Sequence, residues 1–209
     1  GYEVHRGLAG TGVVGTLRVG HGKKRLGLRA DMDALPAAVQ TQRKNLLRFA
    51  VSALKAAGKH ITVYIDSGNS NWRSATEMAA RLSQSGITTA DGFSLNVSNF
   101  RTPSETAAYG QSVSSELATR YGVAGKNFVV DTSRNGATPA PAAGVWCNPA
   151  GRALGVRPTT TTGNALIDAY LWIKRPGESD GACGDLPSPP PAGAFFPAYA
   201  QMLAKAARF

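Results

Sequence analysis

LWIKRPGESDGAC, residues Leu171–Cys183, decides how this chain is read. An apolar run, Tyr170–Ile173, breaks into Lys174, Pro176 and Gly177, then presents Glu178 and Asp180 ahead of Gly181 and Cys183. The apolar residues suit a buried strand, and the Pro and Gly end it abruptly. A cation and two carboxylates are thus delivered together at a strand's C-terminal end. In barrels of parallel strands that is the end where chemistry sits. Taken alone, K-x-x-x-E-x-D would read better as an exposed charged turn, so the weight falls on the rest of the chain.

Outward from that stretch, strand and helix alternate. Leu46, Leu47, Ala50, Val51 and Leu54 form a helical stripe within Ala37–Ala57, and Gly58 is placed to end it. Ile61–Asp66 reads as a buried strand. Ser74 and Glu77 form a capping box for a helix that Gly86 can close, and Gly92–Val97 is the next strand. Thr102-Pro-Ser-Glu105 is a second capping box with Pro103 at the favoured first position, and its helix reaches about Tyr121, before Gly122. Phe128–Asp131 is a strand, and Ser133–Asn164 is a long Pro/Gly/Asn-rich loop of the kind that is usually functional. Ala169–Lys174 is the last strand, with Trp172 in the core, and Ala192–Arg208 closes the chain as a helix. This order predicts an α/β fold with parallel strands in a sheet or barrel. Asp66, Asn96, Asn99, Asp131 and Lys174–Asp180 all fall at or just after strand C-terminal ends.

The 209 residues, 43% hydrophobic, suffice for one domain with a real core. No apolar run is long enough to span a membrane. The chain opens at Gly1 without a signal-peptide pattern and reads as a fragment or processed form. Its net charge of +10 is uneven: residues 1–60 hold 11 Lys/Arg against 3 Asp/Glu. Only Tyr2 and Phe49 offer rings there, too few for base stacking, so a solvated basic face is expected rather than nucleic-acid binding. His5, His21 and His60 show no ligand spacing, and Cys147 and Cys183 form no C-x-x-C pair. A structural zinc site is therefore not expected.

The stretch around Asp180 resembles the C-terminal signature of glycoside hydrolase family 6, the inverting cellulases. The resemblance extends through YIDSGNSNW (Tyr64–Trp72), ADGFSLNVSNF (Ala90–Phe100), FVVDTSRNG (Phe128–Gly136) and VWCNPAGRALG (Val145–Gly155). These blocks keep the family's order from about Leu35 to the end. The resemblance implies a partial, distorted (β/α) barrel, no cofactor, a β-1,4-glucan or cello-oligosaccharide as partner, a monomer and secretion. It also implies a disulfide between Cys147 and Cys183, the alternative being two buried thiols.

Inverting hydrolysis needs one protonated carboxyl for the leaving oxygen and one carboxylate to activate water on the opposite face. By resemblance Asp180 is the base, Asp66 supports the acid, and Lys174 and Glu178 hydrogen-bond the sugar. Trp72 and Trp146 match aromatic platforms for glucosyl rings, and Asn69, Asn96 and Asn99 could bond hydroxyls. Asp33, 33 residues before Asp66, stands in the D-A-L position of the family's E-P-D-A-L acid motif, with Asp31-Met32 in place of Glu-Pro.

Residues 1–36 depart from that family. GLAGTGVVGTL and GLRADMDALP resemble the N-terminal part of zinc-dependent amidohydrolases of the hippurate hydrolase type, without that family's metal ligands. Val13–Val19 and Leu26–Leu28, with a turn at Gly20–Lys24, predict a β-hairpin. The expected organisation is an amidohydrolase-like segment, 1–36, followed by a truncated family 6 catalytic domain, 37–209. Four readings stay open: an impaired glucanase, a glucan-binding fragment, a non-functional hybrid and an amidohydrolase fragment.

Overall fold

The computed structural model describes residues 37–209 except Lys59, together with the backbone of Tyr2–Leu8, Gly12–Leu17 and Arg25–Gly27. The first two segments, β1 and β2, pair antiparallel. The antiparallel pair therefore lies one strand earlier than the expected pairing of Val13–Val19 with Leu26–Leu28. Arg25–Gly27, β3, instead lies parallel to β4, Ile61–Asp66. Asp33 lies outside the described residues.

From β3 onward the strands follow in sequence order in one parallel sheet: β3, β4, β5 (Gly92–Leu95), β6 (Asn127–Asp131) and β7 (Ile167–Leu171). Helices α1 (Ala37–Ala57), α2 (Ala75–Ser83) and α3 (Pro103–Tyr121) connect the first four. The core lies between sheet and helices. Val63 and Ile65, Phe93 and Leu95, and Phe128 and Val130 alternate onto that face, against Val51 of α1, Met78 and Leu82 of α2, and Val113 and Leu117 of α3. That alternation is the period of a strand with one face on helices. Gly110 lets α3 approach closely, since a Cβ there would lie 2.2 Å from the Phe128 ring.

The opposite face curls inward. Tyr64 on β4 donates to the Asp168 carboxylate on β7 at 2.7 Å, and Asn127 of β6 donates to the same group at 2.9 Å. Strands β4 and β7 would stand about 14 Å apart in a flat sheet at about 4.8 Å per strand, so this bond requires curvature. Gly92 of β5 opens the path beneath Tyr64, because a Cβ there would lie 3.0 Å from the tyrosine ring. Sequential parallel strands, helices on one face and this curl are the features of the expected partial barrel.

The caps act where the sequence places them. Thr102 and Glu105 form a complete capping box on α3, and Gly122 ends that helix at φ 65°. Ser74 accepts from the Glu77 amide at 3.2 Å, whereas the Glu77 carboxylate turns to Arg81.

Several boundaries differ from expectation: β5 stops at Leu95 rather than Val97, α2 ends at Ser83 ahead of Gly86, and the two largest differences lie beside the site. Strand β7 ends at Leu171, whose carbonyl takes the Thr132 amide at 2.8 Å. Beyond it the Lys174 amide donates to the Asp131 carboxylate, so the chain leaves the sheet. Trp172 consequently lies outside the core; it is half-buried, its Nε1 donates to Val156 O at 3.0 Å, and its ring stands 6.4 Å from that of Phe209. The closing helix, α4, spans only Pro197–Lys205. Residues ahead of it are laced instead to the loop carrying Asp180: Ser179 N to Ala194 O at 2.9 Å, Gly193 N to Ser179 O at 3.0 Å and Phe196 N to Gly177 O at 2.7 Å.

Candidate active site

At the C-terminal ends of β4 to β7 the loops enclose an open cleft of about 650 Å³. Asp66, Asn69, Trp72, Asn99, Trp146, Lys174, Glu178 and Asp180 all line it. They are drawn from four strand-end loops, and the parallel sheet brings them to one end because every crossover returns the chain in the same direction.

Asp180 is the most constrained of these. Its side chain is 7% exposed and meets two cations: Arg134 Nη1 lies 2.6 Å from Oδ2, and Lys174 Nζ lies 3.2 Å from Oδ1. The Asn148 amide also donates to Oδ2, at 3.0 Å. Each carboxylate oxygen has two acceptor sites. Oδ2 is therefore fully engaged, while Oδ1 keeps one lone pair without a partner among the described residues. Lys174 Nζ bridges onward to Glu178 Oε1 at 3.2 Å, and Arg175 Nε donates to the other Glu178 oxygen at 2.5 Å.

Sequence reasoning did not single out the groups behind Asp180. Arg134 is fully buried, its guanidinium 4.4 Å from the Phe100 ring centroid and 5.9 Å from that of Tyr199. A buried charge persists only when paired and hydrogen-bonded, and Arg134 meets that condition through Asp180 and the Ser98 carbonyl. Asn148 is also fully buried. Its Oδ1 accepts the Asp180 amide at 2.9 Å, and its Nδ2 donates to Gly181 O and Cys183 O, both at 2.9 Å. Both lie in sequence blocks already quoted; a basic residue among small polar ones and an Asn beside a cysteine were the only signals available.

Cys147 and Cys183 are bonded, with Cα atoms 5.9 Å apart, closing a loop of sequence separation 36 beside the Asn148 contacts. The pairing implied by resemblance is the one observed. The preceding loop is held by Arg101, which donates to Pro141 O, and by Arg152, whose Nη1 reaches Pro139 O at 2.9 Å. At its end Trp146 stands 56% exposed on the cleft wall. Trp72 is half-buried, its ring flanked by the Arg73 and Arg81 guanidinium groups at 5.2 and 6.0 Å.

The remaining expected positions divide. Asp66 accepts the Gly68 amide at 3.0 Å, capping its own turn while facing the cleft. Asn69 and Asn99 line the cleft, with Oδ1 atoms accepting from the Asn71 and Phe100 amides. Asn96 does not serve as a sugar contact: it is fully buried at φ 63°, its Nδ2 on Asp131 O at 2.8 Å and its Oδ1 on the Arg101 amide at 2.9 Å. Both ends of its amide are thus spent on backbone. No group of three or more metal-ligating side chains converges among the described residues.

A sequence model of Glycosyl hydrolases family 6 matches residues 28–207, beginning inside the segment that resembles amidohydrolases. Endoglucanase 1 of Streptomyces halstedii is 48% identical over 162 residues, covering 78% of this chain and 48% of that protein. Endoglucanase A of Cellulomonas fimi is 43% identical over 170 residues, covering 81% of this chain and 35% of that protein. Among solved structures, an endoglucanase Cel6 from Mycobacterium tuberculosis, in complex with methyl-cellobiosyl-4-deoxy-4-thio-β-D-cellobioside, superposes with a TM-score of 0.74 at 50% identity. That match covers 82% of this chain and 56% of the relative. The chain spans about half the length of these relatives or less. Over the matched residues, with its parallel sheet and the cleft at the strand ends, the chain belongs to glycosyl hydrolase family 6.

Proposed function

We propose that this chain carries the base side and the sugar-holding wall of an inverting β-1,4-glucanase. The observation that carries the reading is Asp180, held between Arg134 and Lys174 with one Oδ1 lone pair uncommitted, in a cleft walled by Trp72 and Trp146. In the proposed reaction Oδ1 takes a proton from water as the water oxygen attacks the anomeric carbon. The C1–O bond breaks, and the acid protonates the departing oxygen. Lys174 and Glu178 bond the sugar hydroxyls, and Asp66 supports the acid.

Asp33 is our candidate acid. Its support is the D-A-L motif and the direction of β3, which runs parallel to β4. Strand β3 ends at Gly27, six residues before Asp33 and level with Val63, and is directed toward the sheet end that carries Asp66. Among the described residues ahead of α1, Arg25–Gly27 pairs along β4, and Glu-Pro is missing before the acid, so weak hydrolysis is expected. The test is reducing-sugar release from carboxymethylcellulose by the parent, Asp33→Ala and Asp180→Ala. Loss of the base or the acid should cost about 10²–10⁴-fold. Activity lost in Asp180→Ala but kept in Asp33→Ala would move the acid elsewhere. Tryptophan fluorescence that responds to cellotetraose without hydrolysis in any form would favour a binding module.

The bonded cysteines and the family support secretion into an oxidising compartment, and we take the chain to act as a monomer. Residues 1–36 are proposed to derive from an amidohydrolase gene joined at the shared D-A-L. Long-read sequencing of the source DNA that found two separate genes would sink a natural fusion.

A further inference from the structure

Asp131, the last residue of β6, is a carboxylate with no exposure at all. Three backbone amides from three different strand-end segments donate to it. Ser98 N and Lys174 N donate to Oδ2, each at 3.0 Å, and Ser133 N donates to Oδ1 at 2.9 Å. The segment after β5 is held in an unfavourable shape, with Asn96 at φ 63° and Ser98 at φ 59°. Such left-handed conformations in residues other than glycine persist only where the surroundings enforce them. Here Asp131 takes the Ser98 amide with its side chain and the Asn96 Nδ2 with its carbonyl.

From those anchors two routes lead to Asp180. The Ser98 carbonyl accepts from Arg134 Nη2, and Arg134 Nη1 holds Asp180 Oδ2. The Lys174 amide is fixed by Asp131, and Lys174 Nζ holds Asp180 Oδ1. We propose that Asp131 is a positioning residue: one buried carboxylate sets the backbone from which both cations reach Asp180, and so aims the Oδ1 lone pair into the cleft. The proposal deepens the reading of Asp180 as the base and rests on it for its catalytic consequence, though not for the hub itself.

Asp131→Asn tests this, because a carboxamide cannot accept from all three amides without facing one N–H with its own NH2. Amide hydrogen exchange is read first, in parent and variant, whether or not the parent hydrolyses glucan. Protection at Ser98 and Lys174 should fall about tenfold or more relative to Phe93 in the core, as expected when opening becomes local. Kinetics follow, normalised to folded protein. A misplaced base should lower kcat by about 10–100-fold with KM within about twofold, and in the Asp180→Asn background the same change should cost nothing further. If Asp131→Asn does not fold, Asp131→Ser, which leaves room for water to meet the amides, replaces it. Unchanged protection overturns the hub. Lost protection with unchanged kcat, or equal losses in both backgrounds, overturns the positioning role. Lost protection in a parent without hydrolysis leaves the hub standing and overturns the proposed reaction alone.

Discussion

Two halves of this molecule are held together by different physics. From α1 to β6 the chain is regular, and its interior is mostly apolar: Met78, Leu82, Phe93, Val113, Leu117 and Phe128 are fully buried between helices and sheet, with polar groups such as Asn96 and Asp131 buried at the strand ends. From Thr132 to Phe196 the only regular element is β7, and the buried side chains are mostly polar: Thr132, Ser133, Arg134, Asn135, Asn148 and Ser179, beside the apolar Ala153, Ile167, Ala169 and Phe196. The first half is stabilised by non-directional burial, which tolerates repacking. The second depends on directed bonds to specific atoms, where leaving one partner unsatisfied costs more than the bond itself contributed. A scaffold of the first kind positions a site of the second kind. Substitutions in the two should therefore fail differently.

The largest separation should come from Phe93→Ala, which empties a site stacked 5.2 Å from the Phe128 ring. A loss of about 3–5 kcal/mol of stability is expected, read as a shifted denaturant midpoint, with cellotetraose binding by the remaining folded protein unchanged. Weakened binding at constant folded fraction would break the division between halves.

Next is the disulfide. Cys147→Ser with Cys183→Ser frees a loop of separation 36, for which the chain-entropy estimate is about 3–4 kcal/mol. Because Asn148 clamps the same segment to Asp180, Gly181 and Cys183, the folded double variant should still bind cellotetraose. Denatured parent from an oxidising source should show no titratable thiol.

Trp146→Ala should be smaller and opposite in kind. Loss of about 50–60 Å² of stacked ring at about 25 cal/mol per Å² weakens cellotetraose binding about tenfold, with the thermal midpoint unmoved. A shifted midpoint with unchanged binding would make Trp146 a packing residue.

The smallest effect sharpens the comparison within the regular half. Thr102→Ala removes the α3 cap and should cost about 1 kcal/mol. Hydrogen bonds from the Thr102 amide and hydroxyl also hold Glu105 below its ordinary carboxylate value of 4.5. A depressed folded-state value means this stabilisation is complete above about pH 4.5 and is lost as pH falls through the folded value. The parent should therefore lose stability on acidification more steeply than Thr102→Ala in parallel thermal melts from pH 6 to 3.

Local signals account for what the sequence by itself determined. The spans Ala37–Ala57 and Ile61–Asp66 and the Thr102 to Gly122 capping pattern were legible because periodicity, capping chemistry and glycine conformation act within a few residues. Asp66, Asn99, Lys174, Glu178 and Asp180 were legible as a group because alternating strands and helices deliver strand ends to one side, while Trp72 and Trp146 were legible through the family resemblance. The tertiary structure alone decided the burial and partners of Arg134, Asn148 and Asp131, and that Asn96 faces inward rather than toward the cleft. It also decided where β7 stops and why Trp172 leaves the core. The physical reason is common to all of them. A buried polar group is defined by the partner that satisfies it, and these partners lie up to 46 residues away in the chain, as Asp180 does from Arg134.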